Sequence, residues 1–424
     1  MKKRALCALL AVLLCLSLLP VSAMSAEDTV AINESNFPDP HFRSWLQAKY
    51  GDFVATNQVT EIVVPNQSIS NLKGIEHFTG LTKLYCDGNQ LTSLDVSKNT
   101  GLTSLCCDYN QLTSLDVSKN TSLTYLNCTN NKLKSLDVSK NTSLTDLYCY
   151  DNQLTSLDVS KNTSLTYLYC DNNQLTSLDV SKNTGLKRLY CHKNQLTSLD
   201  ISRNPHLLEA YIKGEKKEFG IYTRYSVPDK YLYVDPDVKI VCLSVTAQPK
   251  SQTAAAGKTA TLSVEASGYD LQYQWYVQKK GESTWTELTG ETKQELTVTA
   301  AKELDGSSFR CEITGAKRDG KETLTSEAAT LTIVSKPKIT TQPKAASVKA
   351  GKKATFKVKA SGGSLTYQWY RLKPGAKKWE KINKATKASY SFKAAKKWNG
   401  YKYKCLVKNK AGKVYTKAVK LTVK

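Results

Sequence analysis

The amino-acid sequence predicts a mainly β protein in which a solenoid of stacked coils is followed by two β-sandwiches. A 21-residue pattern recurs six times in the middle of the chain, and such a fixed period is typical of a solenoid. Two later segments repeat the same order of short alternating strands at the same spacing, as sandwiches do. The length of 424 residues, 40% of them apolar, suits several globular domains and excludes a fully disordered chain.

Residues 1–26 have the pattern of a secretory signal. Met1 to Arg4 are basic, Leu6 to Leu19 form an apolar run, and Val21-Ser22-Ala23 offers a small-residue cleavage site, with Ala26 as a second candidate. The apolar run is shorter than an ordinary transmembrane span, which favours a cleaved signal. An uncleaved membrane anchor is the alternative. We therefore expect a secreted, extracellular protein with no transmembrane segment after signal cleavage.

The repeat itself explains why the coils must stack. Copies begin at Leu81, Leu102, Leu123, Leu144, Leu165 and Leu186. Six apolar side chains per coil contribute about 12 kcal/mol, less than the roughly 20–30 kcal/mol of backbone entropy that ordering 21 residues costs. A single coil is therefore unstable without neighbours. A divergent coil is expected from Val59, and a partial coil from Leu207 to Ile212.

The spacing L-x-x-L-x-C-x-x-N-x-L resembles the bacterial leucine-rich repeats of the internalin type, in the variety with cysteine at one strand position. The resemblance covers about residues 59–212. It implies a leucine-rich repeat solenoid and a role in adhesion or protein-ligand binding. Residues 27–58, with a helix after Asp39-Pro40, are expected to cap the first coil, and residues 213–242 to cap the last coil and link it to the next domain.

Two polar columns recur at the repeat period. The cysteines Cys86, Cys107, Cys128, Cys149, Cys170 and Cys191 should line up on the inward side of the strands. We interpret them as buried thiols rather than a metal or redox ladder, because paired Cys-x-x-Cys motifs and partnering histidines are missing from the repeats. The aspartates of the Asp95 column are expected to accept hydrogen bonds from nearby turn backbone, with calcium binding as the alternative.

Residues 243–336 and 337–424 resemble bacterial immunoglobulin-like domains. Val264, Trp275 and Cys311 in the first recur as Val358, Trp369 and Cys405 in the second, at identical spacings of 11 and 36 residues. The tryptophan matches the core residue of strand C, and the cysteine matches the second cysteine of the family. Valine stands at the first cysteine position, so the inter-sheet disulfide of that family cannot form.

The net charge of +23 belongs to one domain. Residues 337–424 hold 24 lysines and Arg371 against the single acidic residue Glu380, whereas residues 27–336 carry 32 basic and 36 acidic residues. The candidate polyanion-binding residues are Lys352, Lys353, Lys357, Lys359, Lys402, Lys404, Lys417 and Lys420. We expect this domain to hold the protein on anionic cell-wall polymers. Solubility alone, or extracellular DNA and host polyanions, are the alternatives; sequence-specific nucleic-acid recognition is not expected.

Variation among the six copies concentrates on outward strand positions, which line the concave face of such solenoids. Tyrosine, aspartate and asparagine dominate there, a composition typical of antibody binding surfaces. The candidate ligand-binding residues are Tyr85, Tyr109, Tyr125, Asp146, Tyr148, Tyr150, Tyr167, Tyr169, Asp171, Arg188, Tyr190 and His192. The alternative is that tyrosine only forms strands well and stacks along the ladder.

The sequence contains no recognisable catalytic set, metal site or cofactor motif, and His192 with Asp171 is the only tempting pair. The interpretation is therefore a secreted, adhesin-like binding protein, associated with the cell wall of a Gram-positive-type bacterium, that recognises a protein or glycan and is not an enzyme. A structural spacer without a dedicated ligand is the alternative.

Overall fold

The computed structural model describes residues 29–424, so the predicted secretory signal, residues 1–26, lies outside the described residues. The chain divides into two compact units between Cys242 and Leu243. Strands dominate both units, and the predicted fold class, a leucine-rich repeat solenoid followed by two immunoglobulin-like β-sandwiches, is confirmed. Across residues 29–424 no helix is both long enough and apolar enough to cross a bilayer.

The first unit begins with a small cap. Strands β1 (Val30–Ala31) and β2 (Phe53–Val54) pair around the helix Pro40–Tyr50. The Asp39 carboxylate caps this helix by accepting hydrogen bonds from the backbone of His41 and Phe42 at 2.9 and 3.0 Å. Its second oxygen accepts from Ser70 backbone and hydroxyl, both at 2.8 Å. One buried carboxylate thereby joins the cap to the solenoid.

The solenoid presents one parallel strand per coil. The strands are β3 (Glu61–Val63), β4 (Lys83–Tyr85), β5 (Ser104–Cys106), β6 (Tyr125–Asn127), β7 (Asp146–Tyr148), β8 (Tyr167–Tyr169) and β9 (Arg188–Tyr190). Each pairs with the next in unbroken register. The leucines and valines of the six repeated coils from Leu81 onward are almost completely buried between neighbours, as coil stacking requires.

Two asparagine columns hold the turns. The Asn89 amide donates to the carbonyls of Val64, Cys86 and Asp87, and its oxygen accepts from the backbone of Ile69. The structure reveals a second asparagine column, which the sequence alone does not predict. Its members are fully buried and donate to carbonyls of the preceding coil. They are Asn99, Asn120, Asn141, Asn162, Asn183 and Asn204.

The C-terminal cap differs from the prediction. The partial coil expected from Leu207 to Ile212 is instead a helix, Pro205–Lys213, which starts at proline and buries Leu207 and Leu208. The proline favours the first helical turn, where no backbone donor is needed. The chain then forms β11 (Glu215–Glu218), β12 (Thr223–Val227) and β13 (Lys230–Val234). Strand β10 (Ser198–Asp200) pairs separately with β14 (Lys239–Val241).

Strand β13 adds directly to the solenoid sheet. It pairs in parallel with β9, and β12 and β11 continue antiparallel beyond it. The result is a ten-stranded sheet in the order β11-β12-β13-β9-β8-β7-β6-β5-β4-β3. The hairpin formed by β12 and β13 therefore covers the exposed edge of the last repeat and lengthens the sheet surface.

The second unit contains the two sandwiches. The first comprises β15 (Ser244–Ala247), β16 (Gln252–Ala255), β17 (Thr259–Ser263), β18 (Glu265–Ser267), β19 (Gln272–Gln278), β20 (Thr286–Glu287), β21 (Glu295–Thr299), β22 (Ser308–Lys317), β23 (Gly320–Thr325) and β24 (Ala329–Val334). The second comprises β25 (Lys338–Thr341), β26 (Ala346–Val348), β27 (Lys353–Lys357), β28 (Lys359–Ser361), β29 (Thr366–Leu372), β30 (Glu380–Lys381), β31 (Ser389–Lys393), β32 (Lys402–Asn409), β33 (Gly412–Tyr415) and β34 (Val419–Val423).

Each sandwich core is built without a disulfide. Trp275 is fully buried beside Val264 and the free thiol Cys311, and its indole N–H donates to the Lys293 carbonyl at 2.8 Å. Trp369 repeats this arrangement, donating to the Lys387 carbonyl at 2.9 Å. Tryptophan packing and this hydrogen bond take the structural place of the missing bridge.

Candidate functional site

The candidate site is the solvent side of the sheet β3–β9 together with β13, called here the ladder face. Its two strand columns align in register, so side chains one repeat apart are direct neighbours. The first column contains Lys83, Ser104, Tyr125, Asp146, Tyr167 and Arg188. The second contains Tyr85, Cys106, Asn127, Tyr148, Tyr169 and Tyr190.

The hairpin extends both columns by one position. Tyr231 lies opposite Arg188, and Tyr233 lies opposite Tyr190. The sequence predicts that residues 213–242 cap the last coil, with Tyr222, Tyr225, Tyr231, Leu232 and Val234 shielding it. The structure buries Tyr225, Leu232 and Val234 of this hairpin, as predicted, but leaves Tyr231 partly exposed on the ladder face together with Tyr233.

Tyrosine rings form a continuous row along the second column. Ring centroids are 4.8 Å apart between Tyr148 and Tyr169, 4.1 Å between Tyr169 and Tyr190, and 4.0 Å between Tyr190 and Tyr233. Tyr125 joins the row from the first column, 5.4 Å from Tyr148. Every ring keeps one part accessible to solvent. The row is an amphipathic strip with an apolar face and hydroxyl groups at its edge.

Arg188 supplies the positive charge of this strip. Its guanidinium lies 5.0 Å from the ring centroid of Tyr167 and 5.1 Å from that of Tyr231, so it is held between two aromatic faces. It also approaches the exposed Asp229 carboxylate at 3.6 Å. The two rings fix the position of this cation on the ladder face, where a ligand acceptor could meet it.

A row of acidic and aromatic residues follows the strands. Burial raises the pKa of Asp171 to about 7, and the neighbouring Asp151 adds to the rise while a backbone hydrogen bond opposes it. Burial likewise raises the pKa of Asp108 to about 6. Tyr150 lies in the same row, and burial raises its pKa as well. These carboxyl groups are poised to change charge near neutral pH.

His192 lies beneath the hairpin rather than open to a ligand. It is only 8% exposed, and the Tyr222 ring centroid is 4.5 Å away. Burial lowers the pKa of His192, so this side chain is neutral at physiological pH. Its Nε2 lies 3.8 Å from an Asp171 oxygen. A neutral imidazole beside a carboxyl group of raised pKa forms a polar contact, with little ion-pair character.

Tyr109 differs from the other candidate tyrosines in its backbone. It belongs to a turn column whose members Gly88, Tyr109, Asn130, Asp151, Asn172 and Lys193 all have positive φ, between 50° and 65°. Glycine, asparagine and aspartate tolerate this left-handed region best, which explains their frequency here. Tyr109 is 55% exposed and projects from the turn beside the ladder face.

The cysteine and aspartate columns have structural partners. The inward cysteines are buried, and thiols such as Cys86 and Cys191 donate to carbonyl oxygens of the following strand at 3.3 and 3.4 Å. Burial, with Asp108 and Asp87 nearby, raises the pKa of the half-buried Cys106 to about 12. Asp95 accepts a hydrogen bond from the Ser97 backbone at 2.9 Å, and the other coils repeat it. Within residues 29–424, no group of three or more candidate ligands could hold a metal ion.

Alternation along strands predicts that the candidate lysines of the second sandwich share one face, but the structure places them on both sheets. Lys353 and Lys357 lie on β27, which pairs with β31, whereas Lys402 and Lys404 lie on β32 in the other sheet. The sandwich topology separates these strands, so the charge covers both faces. Lys352 directly precedes β27, Lys359 begins β28, Lys420 lies on β34, and Lys417 precedes β34. All eight lysines are exposed except the partly buried Lys404.

Family models match both kinds of domain. The model of the endo-beta-N-acetylglucosaminidase EndoS leucine-rich repeat domain matches residues 37–162, and a model of two leucine-rich repeats matches residues 142–183. The immunoglobulin I-set domain model matches residues 337–423. These matches agree with the solenoid and with the second sandwich.

Two curated proteins match parts of the chain. Internalin J of Listeria monocytogenes is 46% identical over 86 residues, 18% of this chain and 9% of the relative. Endoglucanase C of Cellulomonas fimi is 28% identical over 183 residues, 42% of this chain and 16% of the relative. The chain thus spans less than a fifth of the length of these relatives.

Two solved structures align with parts of this chain. The functional domain of InlJ from Listeria monocytogenes, described as including a cysteine ladder, aligns with 70% of this chain and 98% of its own length, at 22% identity and a TM-score of 0.30. Immunoglobulin domains 1–4 of Sidekick-1 align with 48% of this chain and 57% of theirs, at 18% identity and a TM-score of 0.29.

Proposed function

We propose that this chain, an internalin-like leucine-rich repeat protein with immunoglobulin-like domains, is an exported, adhesin-like binding protein whose ladder face recognises a protein or glycan ligand. The observation that carries the proposal is the unbroken tyrosine row from Tyr148 to Tyr233. Large, partly exposed rings offer contact area at low entropic cost. A purely structural column would not need its rings accessible to solvent.

The chemistry of the ladder face suits recognition rather than catalysis. Arg188, Asp146 and the tyrosine hydroxyl groups supply directional hydrogen bonds around an apolar strip. Action by binding alone, without a reaction, is part of this proposal. Turnover of the captured ligand by the purified chain would contradict that part.

The basic sandwich gives the proposal its second component. We expect the +24 charge of residues 337–424 to retain the exported protein on anionic wall polymers, while the ladder face remains available to its ligand. Lysines of a strongly charged domain attract such polymers without requiring a particular sequence.

The direct test is capture of host-surface and bacterial-surface components by residues 27–424. Replacing Tyr148, Tyr169 and Tyr190 by serine should lower the affinity for the captured ligand by at least about tenfold, because aromatic residues at the centre of an interface dominate binding. The matched control replaces the exposed turn residues Gln111, Gln153 and Gln174, one per coil at the same period, and should leave the affinity unchanged.

Phenylalanine variants of the same tyrosines separate binding from packing. They retain the stacked rings and therefore the stability of the sheet, while removing the hydroxyl groups. If the serine variants unfold the solenoid, the tyrosine row serves packing, and if no component is ever retained by the ladder face, a structural spacer without a ligand is the better account.

A further inference from the structure

One face of the second sandwich combines lysines with aromatic rings. The outward side of the sheet β30-β29-β32, with β33 and β34, forms this lysine–aromatic face. Lys381 and Lys404 both lie opposite Tyr370, and Lys402 lies opposite Lys420. Residues directly opposite in neighbouring strands point to the same side of a sheet. Its lysines are Lys381, Lys402, Lys404, Lys408, Lys413 and Lys420.

The rings of this face are arranged around Lys404. The ammonium nitrogen lies 4.3 Å from the ring centroid of Trp379 and 4.5 Å from that of Tyr415. Tyr370 lies 6.2 Å from Tyr415, which is 44% exposed. Cation–π contacts hold the lysine side chain between the two rings without neutralising its charge. The face thus presents a fixed cation flanked by partly open aromatic surfaces.

No carboxylate opposes these lysines within residues 337–424. Glu380 is the only acidic side chain of that range, and it is bound to Arg371 at 2.9 Å. Two lysine pairs of the lysine–aromatic face are directly opposite across strands, Lys402 with Lys420 and Lys408 with Lys413. Such pairs are destabilising without a counter-charge, so the face favours an anionic ligand.

The first sandwich offers a comparison within the same chain. Its corresponding face has the same strand pairing, but acidic side chains accompany the central cation. Arg310 lies 4.5 Å from the Trp285 ring centroid and 5.7 Å from that of Tyr276, as Lys404 lies near its rings. There Glu312 neutralises the cation at 3.3 Å, and Glu287 lies opposite Tyr276 where the second sandwich has Lys381. Ser308 and Thr330 replace the pair Lys402 and Lys420.

The opposite face of the second sandwich is a second comparison. Its outward residues on β27 and β31 include Lys353, Lys357 and Lys393, with Thr355 hydrogen-bonded to Ser391 at 2.8 Å. Strand alternation places lysines, serines and threonine there and no aromatic ring. This face carries charge without the flat apolar surfaces.

We propose that the lysine–aromatic face of the second sandwich is a binding site for a polymer in which phosphate groups alternate with sugar-bearing units. The lysines bind phosphate as point charges. The exposed ring of Tyr415 and the partly exposed ring of Trp379 pack against the C–H face of a sugar, as flat aromatic surfaces do with apolar ligand faces. This inference rests on the proposed retention of the basic sandwich by anionic polymers and names the face responsible.

The test measures the affinity of residues 27–424 for poly(ribitol phosphate) carrying N-acetylhexosamine, with unsubstituted poly(glycerol phosphate) and oligo(deoxythymidine) as comparison probes. Replacing Lys402, Lys404 and Lys420 by glutamine should weaken binding to both phosphate polymers by about a hundredfold. The matched variant, with glutamine at Lys353, Lys357 and Lys393, removes the same charge and should weaken binding by less than about threefold.

The aromatic residues give a second, independent measurement. Tyr415→Ser, at an exposed position, should weaken binding of the sugar-bearing polymer by about fivefold and leave binding of poly(glycerol phosphate) unchanged. A thermal scan of each variant confirms that the sandwich remains folded.

Three results would overturn the inference. Equal losses of polymer affinity in the two lysine variants would show that the total charge of the domain, and no particular face, binds the polymer. That result would leave the proposed retention intact. If the unaltered chain binds neither phosphate polymer, both the proposed retention and the proposed binding site are wrong. Tighter binding of oligo(deoxythymidine), equally sensitive to Tyr415, would assign the face to single-stranded nucleic acid instead.

Discussion

Tyr109 shows how a single residue can be kept at a conformational cost. Its φ of 50° lies in the left-handed region, which costs an ordinary side chain about 1–2 kcal/mol. We expect Tyr109→Asn to raise the free energy of unfolding by about 1 kcal/mol, measured from urea denaturation. The control Asn130→Ala, at a φ of 51°, should lower it by a similar amount. A loss of stability in Tyr109→Asn would contradict the account.

Asp171 makes stability depend on pH in a defined direction. Because burial raises its pKa to about 7, the folded protein binds a proton that the unfolded chain, with a pKa near 3.9, releases. The stability contributed by this group therefore falls as the pH rises from about 4 to about 7. Asp171→Asn should be more stable than the unaltered chain at about pH 8, and the difference should vanish near pH 4.

Asp179 provides the control of opposite sign. Hydrogen bonds from the Ser181 backbone and side chain lower its pKa, so its contribution is present above about pH 4 and is lost as the pH falls further. Asp179→Asn should not gain stability at about pH 8. If both variants show the same pH profile, burial of Asp171 is not the cause.

At the scale of the element, the buried asparagines determine how coils stack. The Asn141 amide donates to the carbonyls of Val117 and Asn120 at 2.9 and 2.8 Å, and the side chain is fully buried. Asn141→Ala should lower the free energy of unfolding by about 2–4 kcal/mol, because two buried acceptors lose their donor. Lys140→Ala, at the exposed neighbouring position, should change it by less than about 0.5 kcal/mol.

The sequence predicts repeated elements well and unique ones poorly. Periodicity identified the inward leucines, the Cys86 column and the Asn89 column, because each position is sampled six times. It could not reveal that Asn99 points inward, since every residue of an invariant segment repeats equally. Periodicity also could not place Tyr233. The Cys191 thiol donates to the Tyr233 carbonyl at 3.4 Å, although the two residues are 42 positions apart in the chain. Long-range pairing of a hairpin leaves no periodic signal.

At the scale of the whole molecule, the excess positive charge and the proposed recognition surface lie in different domains. The second sandwich carries +24, while the range containing the ladder face is slightly acidic. We expect cells to release the bound protein at a few hundred millimolar NaCl, since salt screens exposed charges beyond about 8 Å at physiological ionic strength. Ligand affinity of the ladder face should change much less over that range. Retention on cells that resists salt would contradict electrostatic attachment.

The central claim is that the tyrosine row binds the ligand, and hydroxyl-radical footprinting by mass spectrometry tests it most directly. With captured ligand bound, the account predicts protection of Tyr148, Tyr169, Tyr190 and Tyr233. The exposed Phe53, in the N-terminal cap away from the ladder face, should be labelled as before. Unchanged labelling of the tyrosine row in the saturated complex would contradict the account.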